Sequence, residues 1–250
     1  RRIDEIVVRD ARLRWPIPPD LPARATGQQL LAVDRRSKYL LFRLEAGAMI
    51  MHLGMSGSLR VLRDAVPPPR PHDHLDIRCG AALLRFNDPR RFGCLLWADD
   101  PTAHPLLRAL GPEPLGPDFS GEYLYRRSRG RRCAVKTFLM DAAVVVGVGN
   151  IYASESLFEA GIHPARPAGR VSKARYEVLA DRVRAVLRRA IDSGGSTLRD
   201  FLRTDGSPGY FQLSLAVYGR EGDSCRVCGT AIRQRTIGQR SSFYCIRCQR

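Results

Sequence analysis

Short apolar runs broken by Gly, Pro and Asp fill the first hundred residues. Ile6-Val7-Val8 and the stretches 29–33, 39–44, 48–53, 58–62, 75–78, 82–86 and 93–97 are apolar or alternating, at the close spacing of an antiparallel sandwich or barrel. The Pro-rich loop Pro67-Pro68-Pro69-Arg70-Pro71 interrupts them. Over 111–117 the sequence Gly-Pro-Glu-Pro-Leu-Gly-Pro can continue neither a ladder nor a helix, and is expected to be an interdomain linker.

Beyond it the period changes. Tyr176, Leu179, Val183, Val186, Leu187 and Ala190 recur at helical spacing over 172–193, with Ser172 placed as N-cap and Gly194 just past the end. A shorter helix is expected over 150–160, with Asn150 as its N-cap and Gly161 closing it, and a third over 197–203. The order is a β domain, a helical domain and a cysteine-bearing tail. The longest apolar stretch, 142–148, falls far short of the ~20 residues a membrane span requires. No signal-type apolar segment follows Arg1-Arg2-Ile3-Asp4-Glu5, so a cytoplasmic protein is expected.

Charge sharpens the picture. In 250 residues, 41 Lys+Arg face 25 Asp+Glu, a net charge of +16, while 44% hydrophobic residues suffice for a core. Only Lys38, Lys136 and Lys173 are lysines, so 38 of the cations are arginines, the side chain suited to forked contacts with phosphates and base edges. A nucleic-acid partner is favoured over a membrane surface. The seven cysteines split into three scattered singles, Cys79, Cys94 and Cys133, and four at the carboxyl end, a distribution that fits a reducing compartment.

Those last four form the most specific local signal. Cys225-x2-Cys228 and Cys245-x2-Cys248, sixteen residues apart, can supply four thiolates to one tetrahedral Zn²⁺. Between Cys225 and Arg250 lie six arginines and no acid, so the module reads either as a structural ribbon with a solvated basic face or as a hairpin delivering arginine to a phosphate backbone. Three turns carry further chemistry. Val146-Gly147-Val148-Gly149-Asn150 enters a helix through a Gly-x-Gly turn, which suits a phosphate at the helix start or the close packing of two helices; the third glycine of a dinucleotide fingerprint is absent, the position being Tyr152. Asp88-Pro89-Arg90-Arg91-Phe92-Gly93 is an ordinary hairpin tip or a probe for a base stack. In His52-Leu53-Gly54-Met55-Ser56-Gly57, Met55 sits between turn glycines, where an apolar side chain is hard to bury.

Taken in order, Lys38-Tyr39-Leu40-Leu41, the Met55 and Arg90 loops, Val145 to Glu155, Asp205-Gly206-Ser207-Pro208-Gly209-Tyr210-Phe211 and the cysteine tail resemble the formamidopyrimidine-DNA glycosylases over the full chain. The resemblance is closer than that to the sister endonuclease VIII group, which acts on oxidised pyrimidines. It implies a multidomain α+β fold, with an N-terminal antiparallel β-sandwich (1–112), a helix-two-turn-helix domain (113–219) and a zinc finger (220–250) around a basic cleft. It implies base-excision repair of 8-oxoguanine and ring-opened purines, on double-stranded DNA with a damaged base or abasic site, by a monomer holding one structural zinc. Met55, Arg90 and Phe92 would fill the gap left by the flipped nucleotide, and His72, Arg90 and Arg132 would contact DNA. Asn150 would hold a phosphate, and Arg240 would grip the phosphates flanking the lesion. Lys38 would assist strand cleavage, the 204–211 loop would close over the extruded base, and Lys136, Glu155 and Tyr210 are supporting or base-pocket candidates.

The family's nucleophile is an N-terminal proline followed by glutamate. This sequence opens about twenty residues into that pattern, so its true start is expected upstream. An N-terminal amine with a pKa near ~8 reaches the reactive form far more readily than a lysine near ~10.4. Two other readings remain: a lesion-binding protein without catalysis, motivated by the missing Pro-Glu, and an unrelated zinc-ribbon RNA-binding protein.

Overall fold

The computed structural model describes residues 1–194 and 215–250, which fall into two compact units dividing after Arg108. In the first, eight strands form in chain order: β1 Glu5–Val8, β2 Leu30–Arg36, β3 Tyr39–Leu44, β4 Gly47–His52, β5 Ser58–Leu62, β6 Asp73–Cys79, β7 Ala82–Asn87 and β8 Cys94–Ala98. Each expected apolar run carries one of them. They build two four-stranded sheets, β1-β6-β7-β5 and β2-β3-β4-β8, and every pairing is antiparallel.

Alternation explains the sandwich. Phe42 and Leu44, Met49 and Met51, and Leu75 and Ile77 are pairs two residues apart, so each pair points to one face, and all six join one buried cluster with Phe86 and Leu95. The strand β7 also buries a cation. Arg85, 2% exposed, makes a bidentate pair with Asp76 at 2.8 Å on both arms and donates to the Pro67 carbonyl at 2.7 Å. The fork therefore seats the Pro-rich loop on the sheet. Two short helices, α1 Leu21–Ala25 and α2 Pro105–Arg108, complete the unit; each is too brief to show a period in sequence.

The second unit contains α3 Gly121–Ser128, α4 Val135–Met140, α5 Asn150–Glu159 and α6 Lys173–Asp192, then the hairpin of β9 Arg233–Ile237 and β10 Arg240–Tyr244. The buried face of α6 is the periodic set read from sequence, with Ala180 added, and the Ser172 hydroxyl caps it by accepting from the Arg175 amide. Of these, Tyr176, Leu179, Ala180, Val183 and Leu187 close over Phe138, Leu139, Val145 and Leu157, while Val186 and Ala190 pack with Leu215. The start of α5 differs from expectation. Its N-cap is Gly149, and Asn150 is the first helical residue, because the Asn150 amide is engaged elsewhere, donating to Tyr218 Oη and the Ser241 carbonyl. Gly161, at φ +67, takes the left-handed position just after the α5 C-cap residue Ala160.

The segment expected to be an interdomain linker packs against the second unit. Gly111 donates to the Ala142 carbonyl at 2.8 Å and Pro112 accepts from the Val146 amide at 3.2 Å. A Cβ on Gly111 would meet the Val144 carbonyl group at 2.6 Å. The expected 197–203 helix and the 204–211 loop, with Tyr210, lie outside the described residues.

Gly121 marks the tightest helix contact. A Cβ there would lie 2.3 Å from Glu177 Cα, so α3 and α6 can touch only through a glycine. Gly121→Ala should force the helices apart and cost about 1–3 kcal/mol, an overpacking penalty read as a lower midpoint in thermal or urea unfolding. An unchanged midpoint would show that the two helices adjust freely.

Candidate nucleic-acid interface

In the first unit, one buried carboxylate organises two of the singled-out turns. Asp88, fully buried, accepts from Ser56 Oγ at 2.7 Å and from the Gly93 amide at 2.8 Å, tying the 54–57 turn to the 88–93 turn. Gly54, at φ +71, lies against Phe92, and a Cβ would come within 2.6 Å of the Phe92 carbonyl carbon. This close approach brings Met55 and Phe92 to neighbouring turns, yet they remain 44% and 42% exposed. Arg90 stacks its guanidinium 4.7 Å above the Phe92 ring. Exposed apolar side chains on turns this constrained are placed for contact with something other than the core. His72 is exposed at the base of the same loop, in a left-handed conformation, and its carbonyl accepts from the Asp88 amide at 3.0 Å.

Lys38 is exposed in the two-residue turn between β2 and β3, where Ser37 adopts φ +58. Sequence reading did not single out its neighbour His52. Burial, then the charges of Lys38 and Arg14, lower the His52 pKa, so the ring is neutral at pH 7. Its Nδ1 accepts from the Gly54 amide at 2.8 Å, which leaves Nε2–H as the donor. The signal was present in the motif opening at His52, read only for Met55. Cys94, opposite His52 in the ladder, is fully buried, and burial pushes its thiol up to about 11, which rules it out as a nucleophile.

The second unit gathers Lys136, Asn150, Glu155 and Arg240 around the β9–β10 hairpin. The turn Gly238-Gln239 has φ of 57 and 61, the geometry of a two-residue hairpin, and places Arg240 immediately after it, exposed. Two donors hold the next residue. Lys136 Nζ donates to the Ser241 carbonyl at 2.9 Å and to Ser242 Oγ at 2.6 Å, and Asn150 Nδ2 donates to the same carbonyl at 3.1 Å. A Cβ on Gly238 would meet Thr137 Oγ1 at 2.7 Å, so the turn itself rests on α4. Lys136 is 1% exposed, and burial, with the nearby Arg240 charge, lowers its pKa to about 8. Tyr218, also missed in the sequence, brings its hydroxyl to the Asn150 amide at 3.4 Å. Arg132 lies exposed ahead of α4, and its guanidinium forms no ion pair or hydrogen bond among the described residues.

Glu155, 3% exposed, fastens this assembly. Its carboxylate accepts from the amides of Ala216 at 2.8 Å, Val217 at 3.0 Å and Tyr218 at 2.8 Å, the strand of chain that leads to the cysteines. The sulfurs of Cys225, Cys228, Cys245 and Cys248 lie within 4.8 Å of one another, and Cys225 to Cys248 and Cys228 to Cys245 are 3.9 and 3.4 Å apart. Sulfurs each ~2.3 Å from one tetrahedral ion would be about 3.8 Å apart, so the cluster could hold a metal ion. Phe158, Val217, Ile232 and Phe243 pack with Cys225 and Cys245 and bond this module to α5.

Two outcomes are expected. Glu155→Gln should weaken three charge-assisted bonds, cost about 2–4 kcal/mol and loosen the cysteine module, seen as a lower unfolding midpoint. Lys136 has a folded-state pKa below that of the unfolded chain, so the unfolded chain binds more protons between about pH 8 and 10.5. Stability should rise with pH across that window in the wild type more than in Lys136→Met. Parallel pH profiles from chemical denaturation would refute the burial effect.

Comparison with known proteins places this geometry. The formamidopyrimidine-DNA glycosylase N-terminal domain matches residues 1–95, and the formamidopyrimidine-DNA glycosylase H2TH domain matches 110–202. The formamidopyrimidine-DNA glycosylase of Stutzerimonas stutzeri is 60% identical over 251 residues, covering 100% of this chain and 93% of the relative. Lactococcus lactis Fpg in complex with abasic-site DNA matches with a TM-score of 0.89 and 30% identity over 100% of this chain and 92% of the other. A structure of MutM with DNA containing carbocyclic 8-oxo-G matches with a TM-score of 0.88 at 30% identity, over the same shares of the two chains. With both units matched and the identity sustained from end to end, the chain belongs to the formamidopyrimidine-DNA glycosylase family.

Proposed function

We propose that this chain acts in base-excision repair as a bifunctional DNA glycosylase and abasic-site lyase on oxidised purines, 8-oxoguanine and formamidopyrimidines, in double-stranded DNA. One observation carries the reading: Met55 and Phe92 are held in water by turns that Asp88 ties together. Such side chains suit insertion into a base stack, where they replace the stacking lost when a nucleotide is extruded. Arg90 and His72 contact the strands beside them, Arg132 the phosphates. Lys38 and the neutral Nε2–H of His52 serve backbone phosphates on the first unit, and Asn150, Tyr218 and Arg240 serve those on the second. Lys136 and Glu155 support the hairpin.

The family resemblance assigns the covalent steps to an amino-terminal proline. Its amine attacks the sugar C1′, the damaged base leaves with the bonding electrons and takes up a proton, and an imine forms. β-Elimination then breaks the C3′–O bond and δ-elimination the C5′–O bond. The residues of this chain bind and distort the duplex around that reaction, and Lys38 supplies a second amine beside the cleaved strand. The four cysteines hold one structural Zn²⁺, which fixes the fold of the hairpin module and takes no part in the chemistry. The domain scheme is 1–112, 113–219 and 220–250. No helix among the described residues is long and apolar enough to cross a membrane.

Borohydride trapping tests the activity. Protein carrying the Pro-Glu amino-terminal segment should form a covalent adduct with an 8-oxoguanine:C duplex and nick it, whereas stable binding with no adduct would support lesion recognition without catalysis. Stronger trapping on an oxidised pyrimidine would overturn the preference for oxidised purines. Arg240→Ala should weaken duplex binding by about 1–3 kcal/mol with zinc content intact by atomic absorption, and loss of zinc would make Arg240 structural. Stripping the metal with a chelator should abolish binding, because the hairpin that carries Arg240 depends on it.

A further inference from the structure

A cavity of about 390 Å³ opens at the carboxyl end of α5, lined among others by His163, Arg166, Arg170, Gln249 and Arg250, with no Asp or Glu side chain on its walls. Two more arginines lie near lining residues, Arg235 within electrostatic reach of His163 and Arg175 within reach of Arg166. Arg175 is accounted for, since its Nη2 donates to the Gly161 carbonyl at 2.7 Å, where the end of a helix attracts a cation. Arg166, Arg170 and Arg250 have no such explanation, for their guanidiniums form no ion pair or hydrogen bond among the described residues.

The walls are rigid. Gln249 is 2% exposed, donates to the Ile162 carbonyl at 2.9 Å and accepts from the Cys245 amide at 2.9 Å. The Arg250 amide donates to the Gly161 carbonyl at 3.0 Å. His163 stands edge-on against Tyr244 with ring centroids 4.6 Å apart, and its Nδ1 accepts from the Ala165 amide at 3.2 Å, leaving Nε2 on the free edge. Like charges gathered around a fixed concavity repel one another, and a bound anion relieves that repulsion.

We infer that this cavity is a second phosphate-binding site, which takes the backbone of a second DNA segment while the first is held at Asn150 and Arg240. The ten residues of α5 separate the two sites by about 15 Å, too far for one phosphate to serve both. The inference rests on the DNA-repair reading, and it gives the protein a way to pass directly between DNA segments during its search.

The test uses the intact protein and the variant Arg166→Gln/Arg170→Gln, with Arg170→Gln alone as a milder form should the double change unfold. Each is loaded on a labelled short abasic-analogue duplex, and its release is followed against increasing unlabelled duplex. Wild type should release the label about threefold faster at high competitor while the variant stays flat, with affinity for the short duplex unchanged within about twofold. The variant's Tm should hold or rise, since like charges have been removed. Competitor-independent release by wild type overturns the inference, and so does a large loss of short-duplex affinity in the variant, which would merge the cavity with the first site. Inorganic pyrophosphate is the second arm. If it raises Tm in wild type only, and release is flat in both proteins, the occupant is a free phosphorylated molecule and the DNA assignment falls. Failure of wild type to bind the lesion duplex at all would instead reject the repair reading.

Discussion

The second unit depends on how one carboxylate is neutralised. Glu155 is buried in a chain with 38 arginines, and among the described residues its oxygens are met by three backbone amides and no cation. Removing a carboxylate from water costs several kcal/mol unless donors replace the lost hydration. Three consecutive amides do so only if residues 216–218 take one course past α5, so the electrostatic demand of Glu155 becomes a geometric constraint on the backbone. That course sets where Cys225 begins the cysteine module, and the module sets where Arg240 stands. A cation as partner would have satisfied the charge but left the backbone free.

The first unit uses the same device. Asp88 accepts from the Gly93 amide and the Ser56 hydroxyl, and the turns it joins carry Met55 and Phe92. Elsewhere in that unit carboxylates do take arginine, as Asp76 takes Arg85 and Arg9, and there the product is a fixed sheet surface. Asp88 and Glu155 thus bind backbone and hydroxyl groups, and Arg90 and Arg240 stand outside any ion pair among the described residues, whereas Arg91 in the same turn as Arg90 pairs with Asp10 at 2.9 Å.

These features differ in how far the chain discloses them. The strands were legible because a strand buried on one face repeats every second residue, and Phe42/Leu44 or Leu75/Ile77 show it plainly. The long helix α6 was legible for the corresponding reason at helical period. The short helices α3 and α4 were not, since the one has arginines at its exposed positions and the other spans under two turns. Gly111 and Pro112 read as a linker because turn chemistry looks alike whether a segment spans solvent or packs against Val144. The cysteine cluster and the Met55 and Phe92 turns were legible as motifs, and His52 stood in one of them unread, but Tyr218 owes its place to Asn150, a residue distant in sequence. The tethers Asp88 and Glu155 are of that second kind, defined by which amides face them.

Lys136 shows why one position in so arginine-rich a chain keeps an amine. The space under β10 admits a compact head that can point donors at both the Ser241 carbonyl and Ser242 Oγ, and a planar fork would need acceptors in one plane. The cost is an ammonium buried close to Arg240, whose charge, after burial itself, disfavours the protonated form of Lys136. On the proposed reading a DNA phosphate at Arg240 is the group that removes this conflict: its negative charge stabilises the guanidinium directly and the buried ammonium behind it. Binding should then draw Lys136 back toward its ordinary pKa, so the hairpin is strained by like charge when free and relaxed when it holds the backbone.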